Sequence, residues 1–176
     1  MEHGQGLGGR GGRRIVVGVS GSLGSLAALH RAVAEAARTD AEVLAVLAWV
    51  PPGGEFGYRR SPCPPLLAAA REAAVGRLRT ALGEAFAGAG SGVRLSSQVV
   101  RGETGQVLVS TADRADDTLV IGAGRGWRLL PSVARYCLRH ATCPVLAVPR
   151  PALQRELESY HRRMLWHLRT EPVPHG

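Results

Sequence analysis

Residues 119–149, LVIGAGRGWRLLPSVARYCLRHATCPVLAVP, decide how this chain folds. Leu119, Val120 and Ile121 form a continuous apolar run, as a strand covered on both faces requires. Gly122, Gly124 and Gly126 follow, where the backbone is free to take positive φ and to approach a ligand without a Cβ in the way. A helix opening near Ser132 aims unpaired N–H groups back at that turn, and such an end attracts anions. Val145 to Val148 then makes a second short strand. Strand, glycine turn, helix and strand together read as a phosphate cradle.

The same alternation runs through the rest of the chain. Arg14 to Ser20 reads as strand one and Ser20 to Gly24 as a turn. A helix from about Ser25 to Arg38 carries Leu26, Leu29, Val33 and Ala37 on one face. Strand two is Glu42 to Val50, and Pro51 to Pro65 (PPGGEFGYRRSPCPP) is a Pro/Gly loop. Pro64 and Pro65 suit the opening of a helix from about Leu66 to Ala87, striped by Leu67, Val75, Leu78, Leu82 and Phe86. Strand three is Val93 to Val100, and a helix follows from about Thr104 to Arg114. Asp113, Asp116 and Asp117 read as a solvated loop before strand four. Five strands alternating with four helices predict an α/β fold with a single doubly wound parallel sheet. Right-handed crossovers leave 2-1-3-4-5 and 3-2-1-4-5 as the leading strand orders. In the second order strands one and four are neighbours at the point where the winding reverses, which is where such sheets bind ligands.

Composition narrows the function classes. The 176 residues suit one domain with short extensions, and 45% are hydrophobic, as a globular chain needs. No apolar run reaches the ~20 residues needed to span a bilayer, and the first residues lack a signal peptide's apolar core. The expected location is cytoplasmic, without a membrane partner. The three cysteines, Cys63, Cys137 and Cys143, are scattered and odd in number, which argues against a disulfide framework. The chain contains no lysine, so a Walker-type loop, a Schiff base and a Ser-Lys dyad are all excluded. Of the net charge of +8, half belongs to the two tails, and the body's arginines are interleaved with acids on helical stretches. No aromatic-studded basic strand or recognition-helix pattern appears, so nucleic acid is not the expected partner.

Enzyme motifs are equally scarce. Gly18-Val-Ser20-Gly-Ser22 misses the nucleophile-elbow spacing by one position, and no G-x-G-x-x-G stands on the first strand. His140 and Cys143 have metal-like spacing, yet two groups are too few for a structural zinc site, and core packing accounts for them. No catalytic residue and no metal site is expected, and any nucleotide hydrolysis is slow and incidental.

The opening IVVGVSGSLGSLAALHRAV, the strand-two ending LAWVPP and the closing VIGAGRG…PSVARYCLRHATCPVLAVP resemble the universal stress protein family over about Arg14 to Pro149. The ordered set Ser132-Val133, Arg139-His140-Ala141 and Cys143-Pro144-Val145 makes the resemblance specific. It implies the 3-2-1-4-5 sheet of adenine nucleotide alpha hydrolase-like folds, a role in stress survival, and homodimers joined through the last strand at Val145, Leu146, Ala147 and Val148. One branch of the family binds ATP, with magnesium, through G-x2-G-x9-G-[ST] after strand four, and another branch does not. The nucleotide positions it implies here are Gly18, Val19 and Ser20 on strand one, Ala48 on strand two, and Ile121, Gly122, Gly124, Arg125 and Gly126 after strand four. Ser132 and Val133 complete the set at the helix start.

Three departures separate this chain from the ATP-binding pattern. The stretch from Gly122 to Ser132 is several residues short. Pro131, which has no N–H to offer a phosphate, replaces the glycine before the hydroxyl residue. Ser20 replaces the acid usual at the end of strand one. Arg125 and Arg128 are placed to neutralise phosphate in compensation. Each position also has a purely structural account: Gly18, Gly21 and Gly24 as a tight turn, Ser132 as an N-cap. Two function classes follow. One is a dimeric stress-response module acting through contacts with a protein partner still to be identified, its nucleotide cradle degenerate. The other is an adenine-nucleotide sensor using the shortened turn.

Residues 1–13 read as a disordered Gly/Arg-rich tail, 14–149 as the stress-protein domain and 150–176 as an extension. In the extension Leu153, Leu157, Tyr160, Met164 and Leu168 recur at three- and four-residue steps, an amphipathic helix suited to covering apolar surface near the last strand.

Overall fold

The computed structural model describes residues 12–87, 91–123 and 133–149. Its elements in chain order are β1 (Arg14–Gly18), α1 (Leu23–Thr39), β2 (Glu42–Trp49), α2 (Gly54–Arg60), α3 (Pro64–Ala85), β3 (Leu95–Arg101), α4 (Thr104–Thr111), β4 (Thr118–Gly122), α5 (Val133–His140) and β5 (Val145–Val148). The five strands form one parallel sheet in the order β3-β2-β1-β4-β5. Of the two orders that the alternation allowed, this is the one whose winding reverses between β1 and β4. β3 and β5 are its edges.

The apolar runs of β1 and β4 are continuous because both faces of the sheet are covered. Ile15, Val17 and Val19 belong to one core with Ala28, Leu29, Ala32 and Ala36 of α1 and Ala74, Leu78 and Ala81 of α3. Val16 points the other way, into a second core with Leu119 and Ile121 of β4, Val107 and Leu108 of α4, and Ala134 and Cys137 of α5. Successive strand residues alternate between these layers, as the pleat requires. The stripe expected on α3 is corrected in one place: Ala74, not Val75, enters the core, and small side chains let that helix lie close to the sheet.

Several helix ends follow local chemistry. The Ser22 hydroxyl caps α1 by accepting from the Ser25 N–H at 3.2 Å, so the helix begins at Leu23, earlier than its apolar periodicity suggests. Pro64 and Pro65 open α3 from the first helical positions, where a missing N–H costs nothing. α4 stops at Thr111 instead of continuing to Arg114, and the released segment supplies Asp113 and Asp117 to an ion pair described below.

The loop expected over Pro51–Pro65 contains a helix, α2, and the correction has a clear cause. α2 buries none of its residues, so no apolar stripe announced it. It is held instead by Arg101 at the end of β3, whose guanidinium donates to both carboxylate oxygens of Glu55 at 2.7 and 2.8 Å and lies 4.9 Å from the Tyr58 ring centre. That partnership spans 46 residues and is invisible in a local window.

Candidate functional site

The sheet order places the ends of β1 and β4 side by side at the winding reversal, the position favoured for ligands in such folds. β1 is prolonged by Val19, whose N–H donates to the Val46 carbonyl of β2 at 2.8 Å and whose side chain is buried. The chain then turns through Ser20, Gly21 and Ser22 into α1, and Gly21 takes the left-handed φ of +82° that this turn needs. Ala48, half-buried on β2, and Ile121, fully buried on β4, face the α4–α5 layer below the crevice.

The polar groups of the turn are bonded to one another. The Ser20 N–H donates to Ser25 Oγ at 3.2 Å, and Ser25 Oγ donates to the Ser22 carbonyl at 2.8 Å. Ser20 Oγ and Ser22 Oγ lie 3.0 Å apart and share a hydrogen bond. With Ser22 also capping Ser25, three hydroxyls satisfy donors that would otherwise face the crevice. A carboxylate at position 20 would accept only, whereas serine both donates and accepts and carries no charge.

Packing accounts for Gly122, one of the glycines assigned to nucleotide contact, and leaves little room at Gly18. A Cβ on Gly122 would stand 2.6 Å from the Gly24 carbonyl oxygen and 2.8 Å from its carbon. Position 122 therefore carries no side chain because the first turn of α1 crosses it, backbone against backbone. A Cβ on Gly18 would lie 2.8 Å from Leu108 Cδ1, on the opposite layer. Val133, the first residue of α5, is partly exposed. Gly124, Arg125, Gly126 and Ser132, together with Arg128 and Pro131, lie outside the described residues. The structure thus brings Gly18, Val19, Ser20, Ala48, Ile121 and Gly122 to the ends of β1, β2 and β4.

At the far side of the sheet, among the described residues, β5 pairs only with β4. Val145, Leu146, Ala147 and Val148 are each half-buried.

One polar cluster was misread from the sequence. Asp117 is not part of a solvated loop: it is 1% exposed. Arg14 donates through Nε to Asp117 Oδ1 at 3.0 Å and through Nη2 to Asp117 Oδ2 at 2.7 Å. Nη2 also reaches the Thr111 carbonyl and Asp113 Oδ1, while the Arg114 N–H donates to Asp117 Oδ2. The hydrogen bond to Asp117 raises the Arg14 pKa above its ordinary value, so the guanidinium stays charged. Arg14 thereby ties the start of β1 to the segment entering β4. The available signal was a charged residue at the head of each of two apolar runs, Arg14 directly before Ile15 and Asp117 two residues before Leu119, which becomes informative once those runs are known to be neighbours.

The possible metal residues are otherwise engaged. Tyr136 and His140 stack with ring centres 4.4 Å apart, and Cys143 is buried in the second core. Burial pushes the Cys137 thiol up to about 11 and raises that of Cys143. Among the described residues no three or more His, Cys, Asp or Glu side chains gather to hold a metal, and no helix is long and apolar enough to cross a membrane.

Comparison with known proteins agrees with this architecture. A family model described as "Universal stress protein family" matches residues 12–149. A universal stress protein solved in complex with cAMP is 26% identical, with a TM-score of 0.52 over 79% of this chain and 98% of that one. A universal stress protein family member from Burkholderia pseudomallei is also 26% identical, with a TM-score of 0.54 over 78% of this chain and 96% of its own. UspA from Lactobacillus plantarum, 20% identical with a TM-score of 0.59, shares the fold over 79% of this chain and 99% of that one. No curated protein matches with significance.

Proposed function

The chain belongs to the universal stress protein family, and on that premise we propose that it is a non-enzymatic stress-response module acting through protein contacts, with a degenerate nucleotide cradle. The observation that carries this reading is the end of β1. Ser20, Ser22 and Ser25 bond to one another, and the first turn of α1 lies directly on Gly122. Serine at position 20 leaves the end of β1 without a carboxylate, so the described part of the crevice does not fit a magnesium-bound nucleotide. The domain is residues 14–149, flanked by tail 1–13 and extension 150–176. It forms a homodimer through the outer edge of β5, where Val145 to Val148 would pair with their counterparts. A protomer mass alone in sedimentation would overturn that assembly.

A second reading is supported by one specific likeness. The 26%-identical relative was solved with cAMP, which favours adenine-nucleotide binding in the same crevice here. Arg125 and Arg128 would then supply the positive charge. One experiment separates the two readings. The purified protein is denatured and assayed for released nucleotide by mass spectrometry, then titrated with cAMP and with ATP and magnesium while its melting temperature is followed. The first reading expects no carried nucleotide and no ligand-dependent stabilisation. Either one, found reproducibly, overturns it in favour of the sensor.

A further inference from the structure

Of the seven large apolar side chains exposed among the described residues, five gather at one end, while Tyr136 and Leu138 lie further along α5. Parallel strands all finish at the same edge of a sheet, and each crossover helix starts there. Leu23 opens α1, Val50 follows β2, Phe56 lies on α2, Leu66 sits in the first turn of α3 and Val133 opens α5. Phe56 is 73% exposed and Leu23 57%. β5 ends at the same edge, so the chain leaves the domain there at Val148, with residues 150–176 still to follow.

Those residues carry a stripe of matching chemistry in Leu153, Leu157, Tyr160, Met164 and Leu168. As a helix, 153–168 would measure about 22 Å at ~1.5 Å per residue. Five strands spaced ~4.8 Å apart span about 19 Å. The segment is long enough to cross the sheet from β5 to β3.

We propose that residues 153–168 lie as an amphipathic helix across the C-terminal edge of their own sheet, with the stripe seated on Leu23, Val50, Phe56 and Leu66. The exit point, the length and the exposed residues all favour this seat over the outer edge of β5. That edge presents N–H and C=O groups, which a strand can pair but a helix, already satisfied internally, cannot. The inference goes beyond the proposed function.

Hydrogen exchange on the full-length chain, read by mass spectrometry, tests it. The doubly substituted chain Leu157→Glu, Met164→Glu is expected to speed amide exchange in 50–60 and in 153–168 by about tenfold or more, because two buried apolar contacts are lost. A second variant, Phe56→Ser, probes the opposite face of the contact. Phe56 meets Arg60 of its own helix, and α2 buries nothing in the core, so the domain itself stays folded. It is expected to speed exchange across 153–168. Three results would overturn the proposal: 153–168 exchanging in the wild type at the rate of an unstructured chain, neither variant affecting the other side, or protection that grows with protein concentration. The last would assign the seat to a second copy.

Discussion

Replacing Gly122 by alanine tests whether packing or ligand approach put glycine at the end of β4. The added Cβ would meet the Gly24 carbonyl oxygen at 2.6 Å, its carbon at 2.8 Å and the Ser25 nitrogen at 3.2 Å. Non-bonded heavy atoms prefer about 3.5–4 Å, so the overlap is close to 1 Å and falls on backbone atoms that cannot rotate away. Relief requires the first turn of α1 to lift, which strains the Ser22 cap and the Ser20–Ser25 bond. Overpacking of this kind costs about 1–3 kcal/mol. The lower unfolded-state entropy of alanine offsets about 0.5–1 kcal/mol of that. The expected net loss of about 1–2 kcal/mol corresponds to a melting temperature lower by roughly 2–8 °C for a domain of this size. Thermal denaturation by circular dichroism, without any added nucleotide, measures it. Gly83→Ala is the control: nothing lies within 4 Å of its Cβ on the exposed face of α3, so it should be neutral or stabilising, by up to about 1 kcal/mol. If Gly122→Ala melts at or above the wild-type temperature, α1 does not press on β4 and the packing argument fails.

Asp117→Ala should cost about 3 kcal/mol in urea unfolding, because it leaves the Arg14 guanidinium without its buried partner, whereas Asp113→Ala, at an exposed carboxylate, should cost under about 1 kcal/mol. Equal losses would show that the bidentate bond is not what secures the start of β1. The hydrogen bond from Arg101 lowers the Glu55 pKa, so the docking of α2 is complete above the ordinary carboxylate range and is lost as pH falls through the lowered value. Amide NMR signals of 54–60 should therefore move on acidification in the wild type. In Arg101→Gln the midpoint of that movement should rise toward the ordinary carboxylate range; an unchanged midpoint would refute the tether. Among the cysteines only Cys63 is exposed, while Cys137 and Cys143 are buried with raised pKa values, so a thiol reagent at pH ~8 should modify one site quickly. Rapid modification of all three in the folded protein would contradict the second core.

The sequence by itself determined the layered α/β architecture, because apolar runs and helical stripes are local signals. Leu119–Ile121 carried the signature of a doubly covered strand, and Pro64–Pro65 suited the opening of a helix. The ordered closing motif carried the family as well. Tertiary structure decided what individual residues do within that plan. Gly122 read as a ligand-facing glycine, yet its Cβ position is taken by backbone from α1, nearly a hundred residues earlier. Asp117 read as solvated until the sheet order set it beside Arg14, 103 residues away. α2 had no apolar stripe to betray it, since Arg101 rather than the core holds it. The physical reason is common to all three. Periodicity reports how a residue sits within its own element, whereas ion pairing, capping and close approach depend on which elements become neighbours, and that is settled only when the sheet assembles.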